Sequence, residues 1–428
     1  MGMTLSEKIL ARVSGNEAVK PGEEVMVSPD YVLAYDFPGY TDRIEKQMKE
    51  EFGIQKVKNP EKFVLFIDHM TPTITAKEEA FHEQTRRFAE EQGITLYERK
   101  GIGHQLSREL GYATPGSFLF HYDGHVSALG SLGALAIGNR RYLFEAYFSE
   151  KVMVQVPGSV KITLTGKPRL GVTARDIYNY IQSKIGPDGC LSNVLEIDGP
   201  AVAHLSIDAR AIICGLAMFV GAVSAIVVPD HQVEEYLKDR ALNEFEMVKP
   251  DSDAKYENEY VIDLTDLEPL VVLPPSPANV APLSQVAGTK IDQGYIGSCV
   301  GGTIDDMRVA AEILKGRKVA STFKLNIIPS SNDLMHQASE EGLLSIFLQA
   351  GAFISAPSCD FCFGRSGTIS AGQKALSTAT LNVPGRMGSP DADIYLVSSA
   401  TVAASAIDGV ITDPRKYMGS DSLIESKG

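Results

Sequence analysis

At 428 residues the chain is too long for one ordinary hydrophobic core, and 44% hydrophobic with 22% charged residues is the balance of a soluble globular protein with several domains. A formal net charge of −14 excludes nucleic acid as the main partner, because phosphate contacts need a basic surface, and an anionic substrate would need a locally cationic pocket. Five cysteines, a small and odd number, suit a reducing cytoplasm better than a disulfide framework.

In chain order, a helix is expected over residues 4–12, beginning at Thr4 or Ser6. Its Glu7 and Lys8 fall where a secretory leader would be apolar. Met1-Gly2-Met3-Thr4-Leu5-Ser6 formally fits a myristoylation pattern, but the second methionine favours an alternative start. A turn at Pro21-Gly22 leads into a strand over 24–27, and the break at residues 34–39 displays Asp36 on a loop. Residues 63–67 are a continuous apolar strand of the kind buried in a parallel sheet, and it ends in Asp68-His69, at the edge where such sheets carry their chemistry. A helix over 76–92 and a strand over 95–97 follow. Then come Gly101-Ile102-Gly103-His104-Gln105, a strand over 118–120 and Tyr122-Asp123-Gly124-His125. Thus His69, His104 and His125 all follow or sit on turns, two of them beside an aspartate. A carboxylate next to an imidazole fixes its tautomer and raises its pKa, as a general acid requires. One such histidine is usually a packing residue; three in similar places point to chemistry. His82, His204, His231 and His336 lack that context and read as structural or surface residues.

The small-residue run 130–138 lacks the Lys-Ser/Thr ending of a phosphate loop and reads as close packing. Residues 211–228 are long and apolar enough to raise a membrane span, yet Gly215, Gly221 and Ser224 interrupt them and Pro229-Asp230 ends them. A buried helix followed by a short buried strand is the expectation, with no membrane partner. Strands over 160–164 and 194–197 belong to a second domain, and Glu196 on the latter either reaches a site or faces solvent. The proline-rich stretch 269–282 reads as an ordered linker. Helix and strand patterns alternate throughout, so the class is α/β, with domains expected over 1–156, 157–275 and 276–428.

The last domain holds Gly297-Ser298-Cys299 and Cys359-Asp360-Phe361-Cys362. Each lies on a turn after an apolar strand, where backbone N–H groups favour a thiolate. Three cysteines are one short of a closed tetrahedral site. On a [4Fe–4S] cube they would leave one iron open as a Lewis acid. By spacing alone, buried unmodified thiols, a zinc site completed by a histidine and a cluster all remain open.

Together these residues resemble the aconitase family. The likeness runs over essentially the whole chain and includes Ile67-Asp68-His69, Gly103-His104-Gln105, Glu235-Tyr236-Leu237-Lys238-Asp239-Arg240, Ile296-Gly297-Ser298-Cys299 and Cys359-x-x-Cys362. The resemblance implies three aconitase-like α/β domains packed around a [4Fe–4S] cluster held by Cys299, Cys359 and Cys362. It implies a hydro-lyase acting on a small hydroxy carboxylic acid, in the manner of a 3-isopropylmalate dehydratase large subunit. It makes His69, paired with Asp68, the donor of a proton to the departing hydroxyl, and His104 with Asp123 a supporting acid/carboxylate pair. His125 and Glu196 would hold water or hydroxyl at the iron, with Gln105 and Arg386 on the substrate. No swivelling domain carrying the catalytic serine is visible after Tyr417, so a small partner subunit is expected to supply it, in the cytoplasm.

Several positions depart from the family pattern. Its Asp-Ser-His-Thr is Asp123-Gly124-His125-Val126, its Thr-Asn-Ser after the first cysteine is Val300-Gly301-Gly302, and Gly215 and Phe219 replace an asparagine and a glutamate. Leu381 stands where relatives carry an arginine that grips a substrate carboxylate. These changes imply an altered substrate pocket. A diverged iron–sulfur sensor without turnover is the competing reading, against which the retained histidines argue.

Overall fold

The computed structural model describes residues 2–35, 41–139 and 142–419; the loop expected around Asp36 lies outside them. The chain forms two compact units, one of Met1–Ile162, Cys190–Asp198 and Gly221–Tyr260, the other of Thr163–Gly189, Gly199–Val220 and Val261–Gly428. The three larger sheets take successive stretches of chain (residues 31–138, 159–263 and 270–396), whereas each compact unit is assembled from three separated ones.

In the first unit the opening helix, Leu5–Ser14, starts at Thr4. Thr4 and Glu7 cap one another reciprocally, and Gly15 closes the helix in the left-handed region at φ 73°. Its apolar face, Leu5, Ile9, Leu10 and Val13, is buried. A five-stranded, all-parallel sheet runs in the order Thr95–Glu98, Phe63–Ile67, Tyr31–Tyr35, Phe118–His121, Leu135–Gly138. Phe63–Ile67 is buried at every position, as its unbroken apolar run requires. The helix Ala76–Gln92 matches its expected span because Thr75 and Glu78 form a capping box and Gly93 ends it. The small-residue run packs as expected: a Cβ on Gly130 would lie 1.7 Å from the Ala225 carbonyl oxygen.

A four-stranded sheet has the order Ser224–Val227, Val194–Asp198, Ser159–Thr165, Asn258–Asp263. The segment 211–228 becomes the end of the helix Ile207–Leu216, a short 3-10 turn and the buried strand Ser224–Val227. Among the described residues no helix is long and apolar enough to cross a membrane.

The second unit is built on a seven-stranded sheet in the order Val280–Pro282, Leu270–Val272, Asp393–Leu396, Lys374–Ser377, Gln293–Gly297, Lys324–Ile328, Phe353–Ile354. Its last five strands are mutually parallel. The first two are antiparallel and correct the linker reading of residues 269–282. Pro282 is accepted because its strand is the outermost, where a missing N–H costs no ladder bond.

Candidate active site

In the first unit the chemistry gathers at the C-terminal ends of two parallel strands that flank Tyr31–Tyr35. Phe63–Ile67 delivers Asp68 and His69, both buried. Asp68 Oδ1 lies 2.6 Å from His69 Nδ1, while Asp68 Oδ2 accepts the Gly103 N–H at 2.8 Å. One carboxylate therefore orients the imidazole and also fixes the start of the helix Gly103–Glu109, whose second residue is His104. Position 103 must be glycine, since a Cβ there would stand 2.2 Å from the Tyr35 ring. That ring also meets His69 edge-on, with centroids 6.4 Å apart.

Asp123 follows the strand Phe118–His121 and caps the 3-10 stretch Gly124–Leu132. Its Oδ1 accepts from His125 N at 2.7 Å and lies 3.1 Å from His125 Nδ1. Burial opposes its ionisation, but the His125 hydrogen bond and the charges of His125 and His104 hold its carboxyl well below the usual range. The fold thus strings Asp68, His69, His104, Asp123 and His125 together through direct contact, adjacency or electrostatic coupling.

Two expected members are held by other partners. Gln105 is buried, but its amide is spent along its own helix, donating to Glu109 Oε1 at 2.8 Å and accepting from Arg108. Glu196, expected to hold water or hydroxyl, has both carboxylate oxygens engaged at the start of the helix Leu5–Ser14. Oε1 accepts from Ser6 N (2.9 Å) and Ser159 Oγ (3.0 Å), and Oε2 from Leu5 N (3.1 Å) and Tyr256 Oη (3.3 Å). The first turn of a helix has orphan N–H donors and a partial positive charge, and a buried carboxylate satisfies both.

His121, to which the sequence reading assigned nothing, is buried at the end of its strand, with its ring over Gly138. Burial pushes its pKa down to about 4, with Asp123 opposing. An unfolded histidine titrates near 6.5, so this term is present in full above that pH and is lost as the pH falls towards 4. Between pH 7 and 5 the first unit should lose about 2 kcal/mol to this group, at ~1.4 kcal/mol per pKa unit. Denaturant melts of the chain and its His121→Leu variant at the two pH values isolate that loss from other titrations; an identical pH dependence would sink it.

In the second unit the strand Gln293–Gly297 turns sharply at Gly297-Ser298-Cys299. Gly297 has φ 120° and a Cβ there would meet the Ile328 carbonyl oxygen at 1.8 Å, while Ser298 is held at φ 69°, which non-glycine residues seldom adopt. The Ser298 hydroxyl ties this turn to the other cysteine loop, donating to Ser358 O at 3.1 Å. Thr378 Oγ1 accepts from Gly297 N (2.9 Å) and donates to Val300 O (3.0 Å). Arg175, almost wholly buried, donates through Nη1 to Thr378 O and Ala379 O, each at 2.9 Å. Three loops are thereby laced together, and Cys299, Cys359 and Cys362 form one cluster of free thiols, with Cys299 Sγ 3.3 Å from Cys362 Sγ.

Arg386 donates from Nε to Cys362 O at 3.1 Å and from Nη2 to Cys362 Sγ at 3.2 Å. Leu381 is half-buried on the loop that follows Thr380, and Arg365, the other arginine close in sequence, is paired with the buried Asp360. Cys359, then burial, pushes the Cys299 thiol well above its ordinary range, with Cys362 and Arg386 acting in the opposite sense. The bare Cys299 thiol therefore resists ionisation, and three sulfurs this close suit a multivalent cationic centre that would bind them as thiolates. Among the described residues no three ligand side chains surround a single ion position. A cube does not require that, because each cysteine would hold a different iron. The cysteines therefore fit the cluster that the family resemblance implies.

The model of the aconitase family (aconitate hydratase) matches residues 7–409. The protein named 3-isopropylmalate dehydratase large subunit 1 of Methanopyrus kandleri is 39% identical over 422 residues, 98% of this chain and 100% of that one. Its namesake from Pyrococcus furiosus is 38% identical over 424 residues, covering 97% and 99%. The 3-isopropylmalate dehydratase large subunit of a Sulfurihydrogenibium species is 37% identical over 432 residues, covering 99% and 100%.

Proposed function

This chain belongs to the aconitase family, and from that membership we propose that it is the large subunit of an iron–sulfur-dependent hydro-lyase acting on a small hydroxy carboxylic acid, of 3-isopropylmalate dehydratase type with an altered substrate pocket. The convergence of Cys299, Cys359 and Cys362 beside the Arg386 guanidinium carries this reading. These cysteines would hold a [4Fe–4S] cluster, whose iron without a protein ligand supplies Lewis-acid chemistry toward a hydroxyl and a carboxylate.

The chain's own groups handle the proton. Asp68 holds Nδ1 of His69 and leaves Nε2 to protonate the departing hydroxyl, so that it leaves as water. Asp123 stays ionised, held so by its hydrogen bond with His125 and by the charges of His125 and His104. A base on a small swivel-domain subunit takes the proton from the adjacent carbon. Arg386, with Nε and Nη2 engaged on Cys362, retains Nη1 for one substrate carboxylate.

Leu381 shapes the rest of the pocket. A leucine where relatives place an arginine makes a buried carboxylate costly by several kcal/mol and offers apolar surface worth roughly 1.5–3 kcal/mol to a group that covers it. The substrate therefore carries a neutral or apolar group there. The test is to load the chain with cluster anaerobically and assay it alone and with the small subunit of a relative, on hydroxy acids differing by a carboxylate against a methyl or amide. Turnover is expected only with the small subunit, with the carboxylate preferred only by the Leu381→Arg variant. A tenfold wild-type preference for the extra carboxylate would refute the altered pocket, and turnover by the isolated chain would refute the two-subunit arrangement. A stable cluster with no turnover on any partner or substrate would favour an iron or oxygen sensor.

A further inference from the structure

The guanidinium of Arg386 grips its neighbour in an unusual way for a group whose only duty is a substrate. It makes two contacts with one residue, Nε to the carbonyl and Nη2 to the sulfur of Cys362. Its central carbon also lies 6.0 Å from the Phe363 ring centroid, a second contact with the same short loop. The same sulfur has a hydroxyl neighbour as well, Thr380 Oγ1, at 3.5 Å. Thr380 is itself buried, and the peptide carbonyls just before it, of Thr378 and Ala379, are pinned by Nη1 of the buried Arg175. A guanidinium and a hydroxyl from one loop, braced by a buried cation, thus converge on one cysteine sulfur.

We propose that Arg386 and Thr380 are positioning residues that set the redox poise and oxidative durability of the cluster through the Cys362 sulfur, with Arg175 as the brace that keeps their loop in register. The inference rests on the reading that Cys299, Cys359 and Cys362 hold a [4Fe–4S] cluster. A hydrogen bond from a cation to a thiolate withdraws electron density from the sulfur–iron bond and stabilises the more negative, reduced cluster. It raises the midpoint potential of the one-electron [4Fe–4S]2+/1+ couple. By the same electrostatics it makes removal of an electron from the 2+ state harder. In that removal the oxidised cube, [4Fe–4S]3+, releases one Fe2+ and leaves [3Fe–4S]+, the electron passing to the oxidant. Arg386 thereby protects the open iron, in addition to any contact it makes with substrate.

The experiment compares anaerobically reconstituted wild-type chain with Arg386→Lys, Arg386→Gln and Thr380→Val. The readouts are the midpoint potential from dithionite titration followed by electron paramagnetic resonance, and the rate at which ferricyanide produces the [3Fe–4S]+ signal, all without substrate. Arg386→Gln should shift the potential to more negative values and speed iron loss several-fold. Arg386→Lys, which keeps the charge but not the fork, should fall between, and Thr380→Val should give a smaller shift in the same direction. If Arg386→Gln takes up no cluster, the lysine and valine variants decide the matter. Unchanged potential and unchanged iron loss in the cluster-bearing variants would overturn the proposal. Failure of the wild-type chain itself to bind four irons would instead overturn the cluster reading on which it rests.

Discussion

Cys299→Ser is expected to leave the chain without its brown chromophore and without any hydro-lyase activity, whereas Cys190→Ser and Cys214→Ser should retain both. The difference follows from where the five thiols stand. Cys190 is fully buried, its pKa pushed up to about 12 by burial, and Cys214 is fully buried inside the helix Ile207–Leu216. Cys299 sits on a turn whose backbone is held at positive φ on two successive residues, tied by Ser298 to the loop of Cys359 and Cys362. Serine fits that turn as well as cysteine does, but its hydroxyl stays protonated at neutral pH and is a hard donor, poorly matched to iron in a sulfide cube. Iron and sulfide analysis with visible absorption checks the outcome. A full cluster in the Cys299 variant would reject the ligand assignment.

His69→Asn should cost about 100- to 10,000-fold in kcat of the assembled enzyme, the usual contribution of a positioned general acid, with cluster content unchanged. Asparagine keeps a polar side chain against Asp68 but cannot give up a proton at neutral pH. Asp68→Asn should cost activity as well, and for two reasons. It removes the carboxylate that fixes Nδ1 of His69, and it weakens the acceptor for Gly103 N–H, at the start of the helix that presents His104. Steady-state kinetics with cluster quantification separates the effects. A loss below tenfold in His69→Asn would move the acid role to another residue.

Much of the local structure was legible in the residues. The strand Phe63–Ile67 and the helix Ala76–Gln92 occupy their expected spans, because an unbroken apolar run and a capping box are short-range signals. The turn before Cys299 was legible as well, since a glycine after an apolar run supplies the positive φ of 120° found at Gly297. The proline-rich segment was misread for the complementary reason: whether a strand is accepted at a sheet edge depends on a neighbour more than a hundred residues away in sequence, and the Leu270–Val272 strand pairs with Asp393–Leu396. No composition rule carries that information.

The sequence by itself determined which atoms the protein has for chemistry: three thiols in a motif and histidines beside aspartates at strand ends. It also determined the α/β alternation, because side-chain period is a local property of the backbone. Only the tertiary structure decided how those atoms are spent. Glu196 went to the N-terminus of a helix some 190 residues earlier in the chain, because that helix leaves N–H donors that a buried carboxylate satisfies. Gln105 was taken by its own helix, and Asp68 was divided between His69 and Gly103. Arg386 was drawn to Cys362, donating to its carbonyl oxygen and its sulfur. A polar side chain is committed by whichever partner the fold brings within hydrogen-bond reach, and that partner is set by long-range packing that no sequence window contains.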